Sequence, residues 1–160
     1  MIKLTIIIPV YNEIKTIEKL IKKILKINIK KQLIIVDDGS SDGTEQILKK
    51  YKNRIDKLIF HKKNCGKGAA IKSGQKYVRG KYIAIQDADL EYDPRDLKKI
   101  VNEMSKKDIK VMYGSRVLKK NKFKNTQNFT HIVRIWGNIF LTKASNFLNK
   151  QKLTDAHTCY

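Results

Sequence analysis

The chain has 160 residues, 41% of them hydrophobic, and a formal net charge of +20 from 35 basic and 15 acidic side chains. That length carries one domain with a proper core, and the apolar content excludes a disordered polymer. Two cysteines, Cys65 and Cys159, give neither a disulfide framework nor metal-ligand spacing, and lysines spread over nearly every segment lack the clustering of a nucleic-acid-binding surface.

No secretory leader is visible at the N-terminus and no apolar stretch reaches the length of a bilayer span, so the chain is expected in the cytoplasm, at the cytoplasmic face of a membrane. Ile2 to Val10 is a near-continuous Ile-rich run, predicted as a buried parallel strand. Ile14, Ile17, Leu20, Ile21, Ile24 and Leu25 follow at helical spacing, with lysines on the other face. Leu33 to Val36 reads as a second strand, and Ser41 as the N-cap of a helix carrying Ile47 and Leu48. Lys57 to Phe60 is a third strand, Asn64 to Gly68 a glycine turn, Ala69 to Val78 a helix and Lys81 to Gln86 a fourth strand. Pro94 suits the first turn of a helix with Leu97, Ile100, Val101 and Met104. Val111 to Tyr113 is predicted as a fifth strand, Lys119 to Gln127 as a mobile loop, and the apolar stretch from Ile132 to about Leu148 as a helix.

Strands alternating with helices at this spacing indicate an α/β domain with a mostly parallel central sheet flanked by helices. Ligands of such sheets gather beyond the carboxyl ends of the strands. Acidic residues cluster there: Glu13 after the first strand, Asp37 and Asp38 after the second, Asp87 and Asp89 after the fourth. Carboxylates brought together repel one another unless a cation or hydrogen-bond donors offset them, and a hard divalent ion is the natural partner. Each cluster alone is equally well read as a loop and helix cap. The histidines His61, His131 and His157 share no ligand spacing and are assigned no role. Gly66-Lys67-Gly68 lacks the Lys-Ser/Thr ending of a P-loop and reads as a turn opening a helix.

The segments Ile7-Ile8-Pro9-Val10-Tyr11-Asn12-Glu13, Val36-Asp37-Asp38-Gly39-Ser40-Ser41-Asp42-Gly43-Thr44, Asn64-Cys65-Gly66-Lys67-Gly68 and Gln86-Asp87-Ala88-Asp89-Leu90-Glu91 together resemble glycosyltransferase family two, within it the dolichyl-phosphate mannose synthase and polyprenyl-phosphate glycosyltransferase branch. The resemblance implies a Rossmann-like nucleotide-diphospho-sugar transferase (GT-A) fold and an inverting transfer of a hexose from GDP- or UDP-hexose to polyprenyl or dolichyl phosphate. It implies that Pro9, Tyr11 and Glu13 line the nucleotide pocket and that Val36 and Asp38 contact base and ribose. Asp87, Ala88 and Asp89 would form the Asp-x-Asp element, and Asp89 with Glu91 would hold Mg²⁺ or Mn²⁺ on the donor diphosphate. Arg116 and Arg134 match positions that contact the acceptor phosphate, and Asp155 matches an acceptor-side residue. Asp87, Asp89 and Arg116 are the implied catalytic set.

Family members continue beyond the point where this chain stops, so residues 1–160 are expected to form a single catalytic domain truncated on its acceptor side. A peripheral membrane contact and no nucleic-acid partner are expected; the apolar helix around Trp136 is read first as a core helix packing on the sheet, with an interfacial helix presenting Trp136 and Phe140 to lipid as the alternative. The alternatives are transfer to a saccharide hydroxyl, with Asp155 as candidate base, and a non-catalytic basic module binding nucleic acid or membrane.

Overall fold

The computed structural model describes residues 2–115, 129–150 and 152–154, with side chains in the last helix described from Trp136 onward. By backbone contacts the chain falls into two compact units, Met1–Lys110 and Val111–Tyr160.

The first unit is built on four strands: β1 (Leu4–Val10), β2 (Lys31–Asp37), β3 (Lys57–Phe60) and β4 (Tyr82–Ile85), in the order β3-β2-β1-β4. Every pairing is parallel, with Ile7 opposite Ile34 on one side and Ile85 on the other. Central position explains the unbroken apolar runs Ile6–Ile8 of β1 and Leu33–Val36 of β2, since a parallel strand inside a sheet is covered on both faces. Ile7, Ile34 and Val36 form one buried cluster with Ala70, while Ile6, Ile8, Leu33 and Ile35 alternate to the other face and are equally buried.

Helices α1 (Ile17–Leu25), α2 (Thr44–Lys50), α3 (Lys67–Gln75) and α4 (Asp96–Lys107) connect or follow the strands. In α1 the buried residues Ile17, Leu20, Ile21 and Ile24 share one stripe, and the helix stops where Lys31 Nζ donates to the carbonyls of Leu25 and Ile27. α3 lies on β1 and β2 through small residues. A Cβ at Gly74 would come within 2.9 Å of Ile7 Cγ2, so glycine allows the helix to sit this close to the sheet. Just beyond the C-terminal end of α3, Gln32 joins the layers: its side chain accepts from Thr5 Oγ1 and Arg79 N–H and donates to the Tyr77 carbonyl.

Several sequence-based expectations are corrected in detail. The helix after β2 starts at Thr44, with Gly43 at the N-cap position, and its first N–H groups are served by Asp42, whose Oδ1 accepts from Thr44 N–H at 3.0 Å, not by Ser41. Pro94 precedes α4, and the Asp93 carboxylate accepts the N–H of Arg95 there. The guanidinium of Arg95 beside it draws the Asp93 carboxyl down to about 2. Val111 to Tyr113 is not a strand: the backbone is irregular, and Val111 and Tyr113 are 65% and 50% exposed. Three apolar residues without a pairing neighbour are too weak a signal to specify a strand. The predicted loop at 119–127 lies outside the described residues.

The second unit contains α5 (Phe129–Asn149), the predicted apolar helix, with Trp136, Phe140, Phe147 and Leu148 strongly exposed. Among the described residues, no helix is long and apolar enough to cross a membrane.

Candidate functional site

The chain leaves β1 for β2 and β3 on one side and returns to β4 on the other, so strand order reverses between β1 and β4. At such a switch point the two connections diverge and leave a crevice above the strand ends. A cleft of about 380 Å³ lies there, of the size that takes a small ligand. The end of β1 contributes Pro9, Val10, Tyr11 and Glu13, the end of β2 contributes Asp38, and the segment after β4 contributes Asp87, Ala88 and Asp89. Asn64, Gly66, Lys67 and Ala70, from the glycine turn and the start of α3, complete the wall. Seven residues proposed from sequence for donor binding thus share one cavity: Pro9, Tyr11, Glu13, Asp38, Asp87, Ala88 and Asp89.

Val36 differs. Its side chain is fully buried in the core cluster with Ile7, Ile34 and Ala70, so it supports the cleft from beneath and cannot touch a base with its side chain.

Asp38 is buried, and its carboxylate is heavily engaged. His61 Nδ1 lies 2.6 Å from Oδ1, Gly66 N–H donates to Oδ2 at 2.7 Å, and Cys65 N–H donates to both oxygens at 3.0 and 3.1 Å. Burial alone would raise the Asp38 carboxyl, but these donors outweigh it and hold it below its ordinary value of 3.8. An ionised carboxylate accepts only, so the His61 proton sits on Nδ1, and in the neutral ring Nε2 accepts from Ser73 Oγ at 2.9 Å. The relay from Asp38 through His61 to Ser73 ties the ends of β2 and β3 to α3. Sequence reasoning missed His61, because a lone histidine at a strand end has no local pattern to mark it.

The rest of the Asp-Asp-Gly-Ser segment acts as a fastener between loops. Asn12 N–H donates to Ser40 Oγ, Ser41 N–H to Asn12 Oδ1, Ile14 N–H to Asp42 Oδ2 and Glu13 N–H to Thr44 Oγ1, all within 2.8–3.0 Å. Gly39 (φ +75°) turns the chain between Asp38 and Ser40, and a Cβ there would strike the Lys63 carbonyl carbon at 2.7 Å. No other residue type fits that close approach without moving the glycine turn.

Asp87 and Asp89 face the cleft without such backbone pinning in common. Lys67 Nζ lies 2.5 Å from Asp87 Oδ1, while Asp89 Oδ1 accepts the N–H of Glu91. Glu91 itself is exposed and is not among the residues lining the cleft. Among the described residues, two donor sets are of the kind that holds a metal. Asp38, His61 and Cys65 bring ligand atoms within 4.8 Å of one another, a mixed oxygen, nitrogen and sulfur set, yet the Asp38 oxygens are already shared among His61, Cys65 and Gly66. The carboxylate oxygens of Asp87 and Asp89, on the cleft wall, suit a hard divalent cation that keeps waters and phosphate oxygens as its other ligands. Arg116 and Asp155, expected on the acceptor side, lie outside the described residues, as does the side chain of Arg134.

Residues 5–160 match the family model described as Glycosyl transferase family 2, a span that takes in both compact units. A dodecaprenyl-phosphate galacturonate synthase of Rhizobium johnstonii is 29% identical over 127 residues, covering 75% of this chain and 38% of that protein. A dolichyl-phosphate beta-glucosyltransferase of Dictyostelium discoideum is 34% identical over 133 residues, covering 72% of this chain and 40% of that protein. The chain therefore spans well under half the length of these two relatives. Among solved structures, the mannosyltransferase PcManGT from Pyrobaculum calidifontis, in complex with GDP-Man and Mn²⁺, superposes with a TM-score of 0.55 at 26% identity, over 62% of this chain and 30% of that one. S. aureus TarS superposes with a TM-score of 0.60 at 22% identity, over 71% of this chain and 23% of that one, a likeness of fold. The parallel sheet with its cleft at the switch point is thus the GT-A arrangement, and the chain belongs to glycosyl transferase family 2, with relatives in its polyprenyl-phosphate branch.

Proposed function

We propose that this chain is the donor-binding part of an inverting, metal-dependent hexosyltransferase that takes its sugar from GDP- or UDP-hexose and transfers it to polyprenyl or dolichyl phosphate. The observation that carries the proposal is the cleft at the strand ends, which Pro9, Tyr11 and Glu13, Asp38, and Asp87 and Asp89 line together. The family match over residues 5–160 supports treating the whole chain as part of one catalytic domain. The names of the relatives, which specify dodecaprenyl-, dolichyl- and undecaprenyl-phosphate, favour a lipid phosphate over a saccharide hydroxyl as acceptor.

The nucleoside diphosphate lies along the cleft, with base and ribose toward the Asp38 loop and the diphosphate toward Asp87 and Asp89. Asp89, with Asp87 beside it and Glu91 two residues on, would hold Mg²⁺ or Mn²⁺, which would supply positive charge to offset that of the departing diphosphate. An acceptor phosphate oxygen forms its bond to the anomeric carbon as the bond to the diphosphate oxygen breaks, inverting the configuration. A lipid phosphate is already ionised, so it needs no general base; Arg116 and Arg134 offset its repulsion from the donor. α5 lies at the membrane surface on the cytoplasmic side and presents Trp136 and Phe140 to lipid.

Calorimetry against UDP- and GDP-sugars, with and without Mn²⁺, tests this reading. One nucleotide is expected to bind, and only with the metal. Asp89→Ala is expected to abolish metal-dependent binding and transfer while leaving the circular dichroism spectrum and Tm as in wild type. Retained turnover in that variant, or donor binding indifferent to Mn²⁺, would overturn the assignment.

A further inference from the structure

Lys67 stands at the point where two rigid features meet. Its backbone follows Gly66, whose N–H is fixed to buried Asp38, and opens α3, which is seated on the sheet through Ala70 and Gly74. Its side chain, by contrast, is long and 55% exposed, and the ammonium reaches across the cleft to Asp87 Oδ1 at 2.5 Å. Asp89, two residues along, lines the same wall.

We propose that Lys67 is an exchangeable cation for this site: its ammonium neutralises Asp87 until the donor arrives, then turns to the donor diphosphate as a divalent cation takes over the aspartates. The inference rests on the function proposed above and adds to it a residue that couples metal to donor. An ammonium on a four-carbon stem is a compact, mobile point charge with three donors, suited to changing partners. At Asp87 it competes with any dication on the Asp-Ala-Asp element, because two cations at that distance repel and share one acceptor. A diphosphate removes the conflict, since it offers the ammonium a new anionic partner on the same cleft wall. Metal and donor then bind each better in the presence of the other, and the metal binds weakly alone. This gives a role to a position that sequence reasoning assigned only to a turn.

The test is Mn²⁺ binding to the 160-residue chain, measured by electron paramagnetic resonance of free Mn²⁺, alone and with UDP or GDP, for wild type, Lys67→Met and Lys67→Arg. Lys67→Met is expected to bind Mn²⁺ alone about fivefold more tightly than wild type, to bind the nucleotide about tenfold more weakly with Mn²⁺ present, and to show weaker coupling between them, the remainder being the direct attraction of metal for diphosphate. Lys67→Arg is expected to retain coupling in part. Opposite signs for metal and nucleotide are the signature, because simple loss of a binding residue or of folding would weaken both. If wild type binds neither nucleotide with Mn²⁺, the donor-site reading fails and this proposal with it. If wild type binds one and Lys67→Met matches it, or weakens Mn²⁺ and nucleotide together, only the exchange role of Lys67 is overturned.

Discussion

His61 shows how one side chain can support a site without a motif of its own. It holds the Asp38 carboxylate from one side while the N–H groups of Cys65 and Gly66 hold it from the other. His61→Ala removes a charge-assisted hydrogen bond to a buried acceptor, and a loss of about 1.5–3 kcal/mol in urea unfolding is expected. The pH dependence follows from the direction of the Asp38 shift. Its carboxyl sits below 3.8 in the folded protein, so its contribution is fully present above that pH and is lost as pH falls through the depressed folded value. Without His61 the folded value rises toward 3.8, and the acid limb of the stability curve should move to higher pH. An unchanged acid limb in the variant would show that the backbone donors alone hold Asp38.

At the scale of elements, the seating of α3 determines what reaches the cleft. Ala70 and Gly74 bring the helix close to β1 and β2, and the Gln32 network fixes the chain as it leaves the helix for β4. Gln32 is 1% exposed, and its amide serves Thr5, Tyr77 and Arg79 together. Gln32→Leu keeps the bulk but leaves the Tyr77 carbonyl and Arg79 N–H without this partner, so a loss of about 2–4 kcal/mol is expected from thermal or urea unfolding. Nucleotide affinity at temperatures well below the transition should change little, because the network lies at the far end of the sheet from the cleft. A variant as stable as wild type would mean that water or neighbouring groups take over those hydrogen bonds.

At the scale of the whole molecule, the net charge of +20 and the exposed apolar face of α5 act in the same direction. At helical spacing Trp136, Phe140 and Phe147 fall on one face, with Lys143 among them, and this is the face that the proposed lipid contact would use. Flotation with vesicles containing anionic lipid should carry the wild-type chain upward at low salt. Trp136→Ala with Phe140→Ala should reduce the floated fraction several-fold at equal charge, since each ring contributes buried area that lysines do not replace. Equal flotation of the double variant would assign membrane attraction to charge alone.

The four strand segments, the helices after them and the acidic clusters at the strand ends were legible in the amino-acid order, because the two central strands, buried on both faces, read as Ile- and Val-rich runs and the helices keep a 3.6-residue period. Seven of the residues that line the cleft were legible too, since parallel pairing places the carboxyl ends of the strands at one edge and the reversal of strand order opens a crevice there. Local pattern carries no record of which side chains meet across the fold, and there the tertiary structure decided. It made Asp38 an anchor for the glycine turn, put Gly43 instead of Ser41 at the N-cap of α2, buried Val36, and set Lys67 against Asp87. It also left Val111 to Tyr113 irregular and exposed, because an apolar triplet becomes a strand only where a neighbour's N–H and C=O groups are waiting.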